Sequence, residues 1–197
     1  TSIPISVQLI VFSNQALKLF TSEQRMFVGR VLLGIAKNHL KFIDASYSET
    51  FFPKNSNGGL SDQQENTLKE KRNMKDRPVF ENPIEIGVSE VRAEYLKKLL
   101  SEYKNEIKIV TLKKLSIDLK ISERPHGIIF SNDSSWFEDL GLIGFNLNSD
   151  IFKTNGISKD EWLDKYLNIE SKADRNKMLQ DLHYENLMSA SFYPLLT

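Results

Sequence analysis

Residues 83–110, PIEIGVSEVRAEYLKKLLSEYKNEIKIV, carry the pattern that decides the fold. Residues 84–88 alternate apolar and polar side chains, which is typical of a strand. A helix of about 15 residues is predicted after Ser89, and apolar side chains lie along one side of it: Val91, Tyr95, Leu99 and Tyr103. Residues 106–110 alternate again. Since strands joined through a helix pair in parallel, the sequence predicts a βαβ unit and an α/β fold.

The N-terminal part of the chain adds a strand and a helix. Residues 5–12 predict a strand, and residues 22–39 predict an amphipathic helix. Thr21 and Gln24 form a capping-box pattern at the start of that helix. Residues 55–77 are polar, and we expect either a solvated short helix or a mobile connection there.

The C-terminal part adds two strands and two helices. Residues 126–130 predict a short apolar strand, and helices are predicted to follow Ser158 and Ser171. Residues 191–196 predict a strand that Pro194 confines to an edge or an end of the sheet. We therefore expect residues 1–197 to form a single α/β domain.

Composition excludes several classes of protein. The chain has 197 residues, with 26 Lys plus Arg and 26 Asp plus Glu, so its formal net charge is zero. Such a balance disfavours nucleic acid as the main partner, because phosphate neutralisation requires a basic excess. Cysteine is absent, which excludes disulfide scaffolds and thiolate metal sites. No apolar run approaches the roughly 20 residues that span a bilayer.

Two sets of charged or titratable residues could carry chemistry. Glu106 and Lys108 have the spacing of a metal-binding strand in nucleases, but an exposed strand face explains the same pattern. His39 and His183 lie on predicted polar helix faces and are expected to be solvated, and His126 is expected to be structural. We therefore predict no catalytic residue, no metal site and no cofactor. Gly141 and Gly144 are interpreted as turn or packing glycines.

The polar segment 132–139, NDSSWFED, follows a predicted strand directly. In open α/β sheets, ligand crevices form at the carboxyl ends of strands. Asn132, Asp133, Trp136 and Asp139 would offer an amide, two carboxylates and an indole to a ligand. The first turn of a helix, with Trp136 in the core, explains the segment equally well.

The order of these pieces resembles the family 5 extracellular solute-binding proteins, the oligopeptide-, dipeptide- and nickel-binding class that serves ABC importers. The resemblance is carried by short stretches along most of the chain: residues 7–14, 20–25, 31–36, 51–53, 83–110, 124–130, 173–179 and 192–196. Each stretch is short and degenerate, so their order carries the resemblance.

The resemblance implies that the chain is the second lobe of a larger, two-lobed, non-enzymatic protein. Such a lobe has a mixed sheet with helices on its faces, and the two lobes close on a ligand like a clamp. The implied partners are a peptide or similar small solute, the missing first lobe and a membrane ABC permease. The implied location is extracytoplasmic, in a periplasm or on a cell surface, since members of the family are secreted or lipid-anchored. No nucleic acid is implied.

The resemblance also implies roles for the polar segment. In the family an aspartate near a tryptophan meets the amino terminus of a bound peptide, and here either Asp133 or Asp139 would do so. Trp136 would pack on the apolar part of the ligand, and Asn132 would hydrogen-bond to it. The Tyr and Pro that follow in the family pattern are missing. Two alternatives remain: the ligand-sensing domain of a transcriptional regulator, and a metal-dependent phosphodiesterase or nuclease built on Glu106 and Lys108.

Overall fold

The computed structural model describes residues 7–39, 49–73, 76–112, 124–132, 140–154 and 156–196. Five strands form one sheet: β1 (Val7–Phe12), β2 (Ile84–Ser89), β3 (Ile107–Leu112), β4 (Gly127–Asn132) and β5 (Phe192–Leu196). Their order across the sheet is β3-β2-β4-β1-β5. β2 pairs in parallel with β3 and β4, while β1 pairs antiparallel with β4 and β5. The sheet is therefore mixed, the predicted βαβ unit is present, and Pro194 lies in an edge strand.

Seven α-helices accompany the sheet within the described part of the chain: α1 (Asn14–Leu19), α2 (Ser22–His39), α3 (Asp62–Arg72), α4 (Glu90–Leu99), α5 (Leu140–Asn148), α6 (Lys159–Asn168) and α7 (Lys172–Met188). The capping box of α2 is formed: Gln24 N–H donates to the Thr21 hydroxyl, and Thr21 N–H donates to the Gln24 side chain. Ser158 and Ser171 cap α6 and α7 as their sequence positions predict.

Two helices differ from the sequence prediction. α1 was not predicted and follows β1 directly, because the Ser13 side chain accepts a hydrogen bond from Ala16 N–H and caps a helix of six residues. α5 contains Gly141 and Gly144, so these glycines are helical rather than turn residues. Its apolar side chains outweigh the low helix propensity of glycine, since Ile143 and Leu147 are buried in the core.

The polar stretch after residue 55 contains a helix, which is one of the two expected alternatives. Ser61 and Gln64 form a capping box at the start of α3. The preceding turn is tight, because Gly58 has φ +75° and a side chain there would meet the Phe52 ring at 2.8 Å. Glycine is therefore needed at this position.

The sheet separates two hydrophobic cores. Along β1, Ile10 and Phe12 belong to one core and Leu9 to the other, because successive strand residues point to opposite faces. Along β5, Tyr193 belongs to the core that contains Ile10, and Phe192 belongs to the core that contains Leu9. We call the face that carries Ile10 the α2 face, because Val28 and Leu32 of α2 pack there, and the opposite face the α7 face, because Leu179, Leu182 and Leu187 of α7 pack there. None of the helices searched, within the described residues, is long and apolar enough to cross a membrane.

The side of α4 that packs on the sheet is not the predicted apolar side with Val91 and Tyr95. Ala93 and Leu100 are buried against the sheet, whereas Val91 is 91% exposed and Tyr95 is 45% exposed. The small Ala93 side chain lets the helix approach the sheet closely. The helix ends at Leu99, and a 3₁₀ turn at Ser101–Tyr103 continues it towards β3.

Candidate functional site

The carboxyl ends of four strands meet at one edge of the sheet, which we call the carboxyl edge. β2, β3 and β4 run in parallel, and β5 runs in the same direction because both β4 and β5 are antiparallel to β1. Ser89, Leu112, Asn132 and Leu196 are thus the strand ends at this edge, and β1 begins there at Val7. The chain thus leaves four strands on this side, which is where open α/β sheets bind ligands.

The predicted ligand residues can be placed only in part. Asn132 is the last residue of β4, and its backbone lies opposite Val7 at the carboxyl edge. Asp133, Trp136 and Asp139 lie outside the described residues. α5 begins at Leu140, directly after them. Of the segment 132–139, the structure thus describes only Asn132, at the carboxyl edge.

The start of α4 is the best described part of this edge. Ser89 is both the last residue of β2 and the N-cap of α4, and its side chain makes no capping hydrogen bond within the described structure. Val91, in the first turn, is almost fully exposed. An apolar side chain at the strand-end edge is available for contact with a ligand or a neighbouring domain.

Glu106 and Lys108 do not face a common site. β3 begins at Ile107, so Glu106 precedes the strand, and its carboxylate lies 2.7 Å from the Arg77 guanidinium. Lys108 pairs with Glu85 of the neighbouring strand at 2.8 Å. Each charge is matched by a different neighbour. Among the described residues, no group of three or more acidic or histidine side chains is placed to hold a metal ion.

His126 has a structural contact, as the sequence suggested. Glu85 N–H donates to His126 Nδ1 at 3.0 Å, and the ring packs edge-on against Phe20 with centroids 4.9 Å apart. Burial lowers the pKa of His126 below its usual value. The neutral ring therefore links the start of β2 to the start of β4. The side chain of His39 lies outside the described residues.

The prediction that His183 is solvated is wrong, because its side chain is 0% exposed. Phe51 N–H donates to Nε2 at 3.0 Å, so Nε2 carries no proton. Nδ1 must then be protonated, and it donates to the Gly58 carbonyl at 2.8 Å. Burial lowers the pKa of His183 to about 3. Through these two hydrogen bonds, the neutral imidazole links the segment before α3 to α7.

Arg25 is a buried cation whose role the sequence did not reveal. Its guanidinium donates to the Ala190 carbonyl at 3.0 Å, to the Ser189 carbonyl at 2.6 Å and to the Phe20 carbonyl. Burial lowers the pKa of Arg25 to about 10. The Arg25 side chain therefore binds backbone carbonyls just after the C-termini of α1 and α7 and links the two helix ends. These hydrogen bonds account for its burial.

A loop before α6 is fixed to α7 by paired hydrogen bonds. Lys153 N–H donates to Asn186 Oδ1 at 2.7 Å, and Asn186 Nδ2 donates to the Lys153 carbonyl at 2.9 Å. The Lys153 ammonium lies 3.8 Å from an Asp150 oxygen, and its burial lowers the pKa of Lys153 to about 8. The loop is thus held in place beside α7.

That loop, α6 and α7 line an open groove with a volume of about 420 Å³. The described lining comprises Thr154, Ile157, Trp162, Asp174, Lys177, Met178, Asp181, Leu182 and Glu185. All of these residues come from the loop and the two helices, so the groove is separate from the strand ends. Sequence analysis did not find it, because its residues are distributed over three segments.

No protein-family model matches the sequence, and a comparison with curated proteins gives no match. Solved structures do match. The chain is 11% identical to NikA from Brucella suis in complex with Fe(III)-EDTA, with a TM-score of 0.66, and the match covers 100% of this chain and 46% of that one. The chain is 15% identical to the murein tripeptide binding protein MppA of Escherichia coli, with a TM-score of 0.61. That match covers 98% of this chain and 42% of MppA.

A third match is the oligopeptide-binding protein AppA of Bacillus subtilis in complex with a nonapeptide, with 12% identity and a TM-score of 0.54. It covers 99% of this chain and 45% of AppA. The chain thus spans less than half the length of each of these proteins. The resemblance to family 5 solute-binding proteins is confirmed for the fold: the chain has the α/β architecture of one lobe of such a protein.

Proposed function

We propose that this chain is the second, non-enzymatic ligand-binding lobe of an extracytoplasmic solute-binding protein that serves an ABC importer. Its ligand is a peptide or a similar small solute. The observation that carries the proposal is the carboxyl edge, where four strand ends open on one side of a sheet whose fold matches part of peptide-binding proteins.

The position of the neighbouring strands β1 and β5 supports a two-lobed arrangement. β1 begins and β5 ends at the carboxyl edge, and Gln8 pairs with Leu196. A first lobe connected through these two neighbouring strands would face the same edge. The ligand would then lie between the lobes, and closure would remove it from water. The exposed Val91 side chain at this edge suits such a contact.

The ligand contacts are assigned to the segment that leaves β4. Asp133 or Asp139 meets a cationic group of the ligand, Trp136 packs against its apolar part, and Asn132 hydrogen-bonds to it. A carboxylate that pairs with an ammonium inside a closed cleft forms a charge-assisted hydrogen bond, which is stronger than one between neutral groups. Such a pair gives the site both affinity and orientation.

The remaining partners follow from the same function. A solute-binding protein of this class hands its cargo to a membrane permease, and it works in the periplasm or on the cell surface, either secreted or lipid-anchored. The first lobe of the same protein completes the cleft.

The proposal is tested by ligand binding to the intact protein that contains this chain. Calorimetric titration with a tripeptide, a nonapeptide and Ni(L-His)₂ samples the ligand types bound by the structural neighbours. We expect one of these to bind, and the double substitution Asp133→Asn with Asp139→Asn to weaken that binding by roughly 100-fold, since a charge pair in a closed site is costly to break.

The matched control is Asp160→Asn with Asp164→Asn, which removes two exposed carboxylates from α6. It should leave affinity unchanged. Equal affinities of the two double variants would refute the site assignment, and binding of none of the three probes would count against a peptide or metal-complex carrier.

A further inference from the structure

The first half of α4 presents two apolar side chains to solvent beside the carboxyl edge. Val91 is 91% exposed, the highest fraction among the large apolar side chains of the described residues, and Tyr95 is 45% exposed. The two residues lie one helical turn apart, so their side chains are neighbours on the helix surface. Side chains of a helix tilt towards its N-terminus, which directs Tyr95 towards Val91 and the carboxyl edge. We call Val91 and Tyr95 the α4 patch.

The core of this chain does not include the α4 patch. α4 packs on the sheet through Ala93 and Leu100, which are buried in the core of the α2 face, and neither residue of the patch belongs to that core. Exposed charged residues flank the patch: Glu90, Arg92 and Glu94. An apolar centre with a polar rim is typical of a surface that contacts another protein or domain.

The position of the patch indicates which surface covers it. Ser89 ends β2 at the carboxyl edge and caps α4, so Val91 lies two residues beyond a strand end. β1 begins and β5 ends at the same edge, and a first lobe connected through these strands would face it. The solute-binding proteins that match are more than twice as long as this chain. The remainder of such a protein is large enough to cover the edge and the patch.

We infer that the α4 patch is a closure contact: it packs against an apolar surface of the first lobe when the two lobes close, and it does not touch the ligand. This inference rests on the proposed function and adds a contact that regulates the same site. A contact made only in the closed arrangement raises the closed population, so it strengthens the binding of every ligand by the same factor. The proposed ligand residues lie elsewhere, from Asn132 at the end of β4 onwards.

The first test is photo-crosslinking in the purified intact protein that contains this chain, with p-benzoylphenylalanine in place of Val91. Irradiation should join position 91 to residues of the same molecule outside the 197-residue chain, because the closed arrangement is visited even without ligand. Mass spectrometry maps the products. The matched control carries the same label in place of Val79, which is 86% exposed and precedes β2, towards the opposite edge of the sheet. The control should give no such product.

The second test is the substitution Val91→Asp in the same protein. Aspartate is favourable in the first turn of a helix, so α4 should stay intact, but a carboxylate opposes burial against an apolar surface. We expect the affinity for each probe that binds, among the tripeptide, the nonapeptide and Ni(L-His)₂, to fall by the same factor of roughly ten, since burial of one valine is lost. Val79→Asp should leave these affinities and, like Val91→Asp, the circular dichroism spectrum unchanged.

The inference is overturned if position 91 gives no crosslink to the rest of its own molecule, or if Val91→Asp and Val79→Asp bind the probes equally well. It is also overturned by three other results. Weaker binding of one probe alone would make Val91 a ligand contact, crosslinks between molecules would assign the patch to a second copy, and unchanged affinity with reduced cellular uptake would assign it to the permease. If no probe binds, the ligand proposal fails, whereas the crosslinks from position 91 still support or overturn the contact between the lobes.

Discussion

On the α2 face of the sheet the buried core is mostly aliphatic, with Ile84, Ile86 and Val88 of β2 as its central row. On the α7 face, four phenylalanine rings surround a histidine: Phe51, Phe52, Phe152 and Phe192 lie within 6.5 Å of the His183 ring. Both faces exclude water. Only the second, within the described residues, places a fully buried titratable ring at its centre.

This difference makes the two faces respond differently to mutation and to acid. Aliphatic side chains contribute through the area that they bury. Aromatic rings add specific edge-to-face contacts, which makes their loss more costly. A buried neutral histidine makes the surrounding structure sensitive to pH, because its protonation would place an unpaired charge in the core.

The largest effect is expected from Phe152→Ala. Phe152 is 0% exposed and contacts three phenylalanine rings of the α7 face, Phe51, Phe52 and Phe192, as well as the His183 ring. We expect the free energy of unfolding to fall by about 3–5 kcal/mol, through lost burial and a cavity that the rigid rings cannot fill. Urea unfolding followed by circular dichroism measures this loss.

The matched variant on the α2 face is Ile86→Ala, also at a fully buried position. Its loss should fall at the lower part of the range of about 2–5 kcal/mol for aliphatic truncations. A larger loss for Ile86→Ala than for Phe152→Ala would reverse the proposed contrast between the two faces.

The second effect is the pH dependence that His183 confers. Its pKa of about 3 in the folded chain lies below the unfolded value, so the unfolded chain binds more protons between these two values. Stability from His183 is complete above about pH 6.5 and is lost as the pH falls towards 3. At pH 4.5 the loss should be about 2–3 kcal/mol, measured by urea unfolding at several pH values.

The substitution His183→Gln should flatten the acid limb of this profile, because glutamine can accept and donate hydrogen bonds without titrating. The control substitution His126→Gln, at the half-buried histidine before β4, should leave most of the slope in place. If the slope survives His183→Gln unchanged, the acid sensitivity originates elsewhere and His183 is not its cause.

The smallest effect on the free energy of unfolding is expected from an ion pair on the solvent-exposed part of the α7 face. Glu85 and Lys108 pair across β2 and β3 at 2.8 Å, with the Lys108 side chain 59% exposed. A double-mutant cycle with Glu85→Gln and Lys108→Gln should give a coupling energy of about 0.2–1 kcal/mol that decreases with salt. A coupling above about 2 kcal/mol would mean that this pair is part of a buried core.

Local signals predicted much of the fold. The alternation in β2 and β3, and the capping serines before α6 and α7, act over a few residues, so a single sequence contains them. α1 was missed because a six-residue helix gives too little periodicity to detect. A helix that begins near residue 139 was one of two alternatives for the segment 132–139, but α5 was not predicted to include Gly141 and Gly144. Glycine has low helix propensity, and only burial of the apolar residues between and after these two positions stabilises the helix.

The candidate site shows the same division. The sequence indicated that the polar segment 132–139 follows a strand, which it predicted over residues 126–130 and which the structure extends to Asn132. That Ser89, Leu112 and Leu196 end at the same edge depends on strand order and direction, which involve residues far apart in the chain. The side of α4 that packs on the sheet also depended on this arrangement.

The sequence by itself determined the type and the order of most elements, because helix caps and strand alternation depend on neighbours a few residues away. It did not determine the environment of His183, whose partners Phe51 and Gly58 are more than 120 residues distant. Nor did it reveal the groove beside α7, which exists only where the loop, α6 and α7 meet. Burial and charge matching are properties of residues brought together by packing, so only the tertiary structure could decide them.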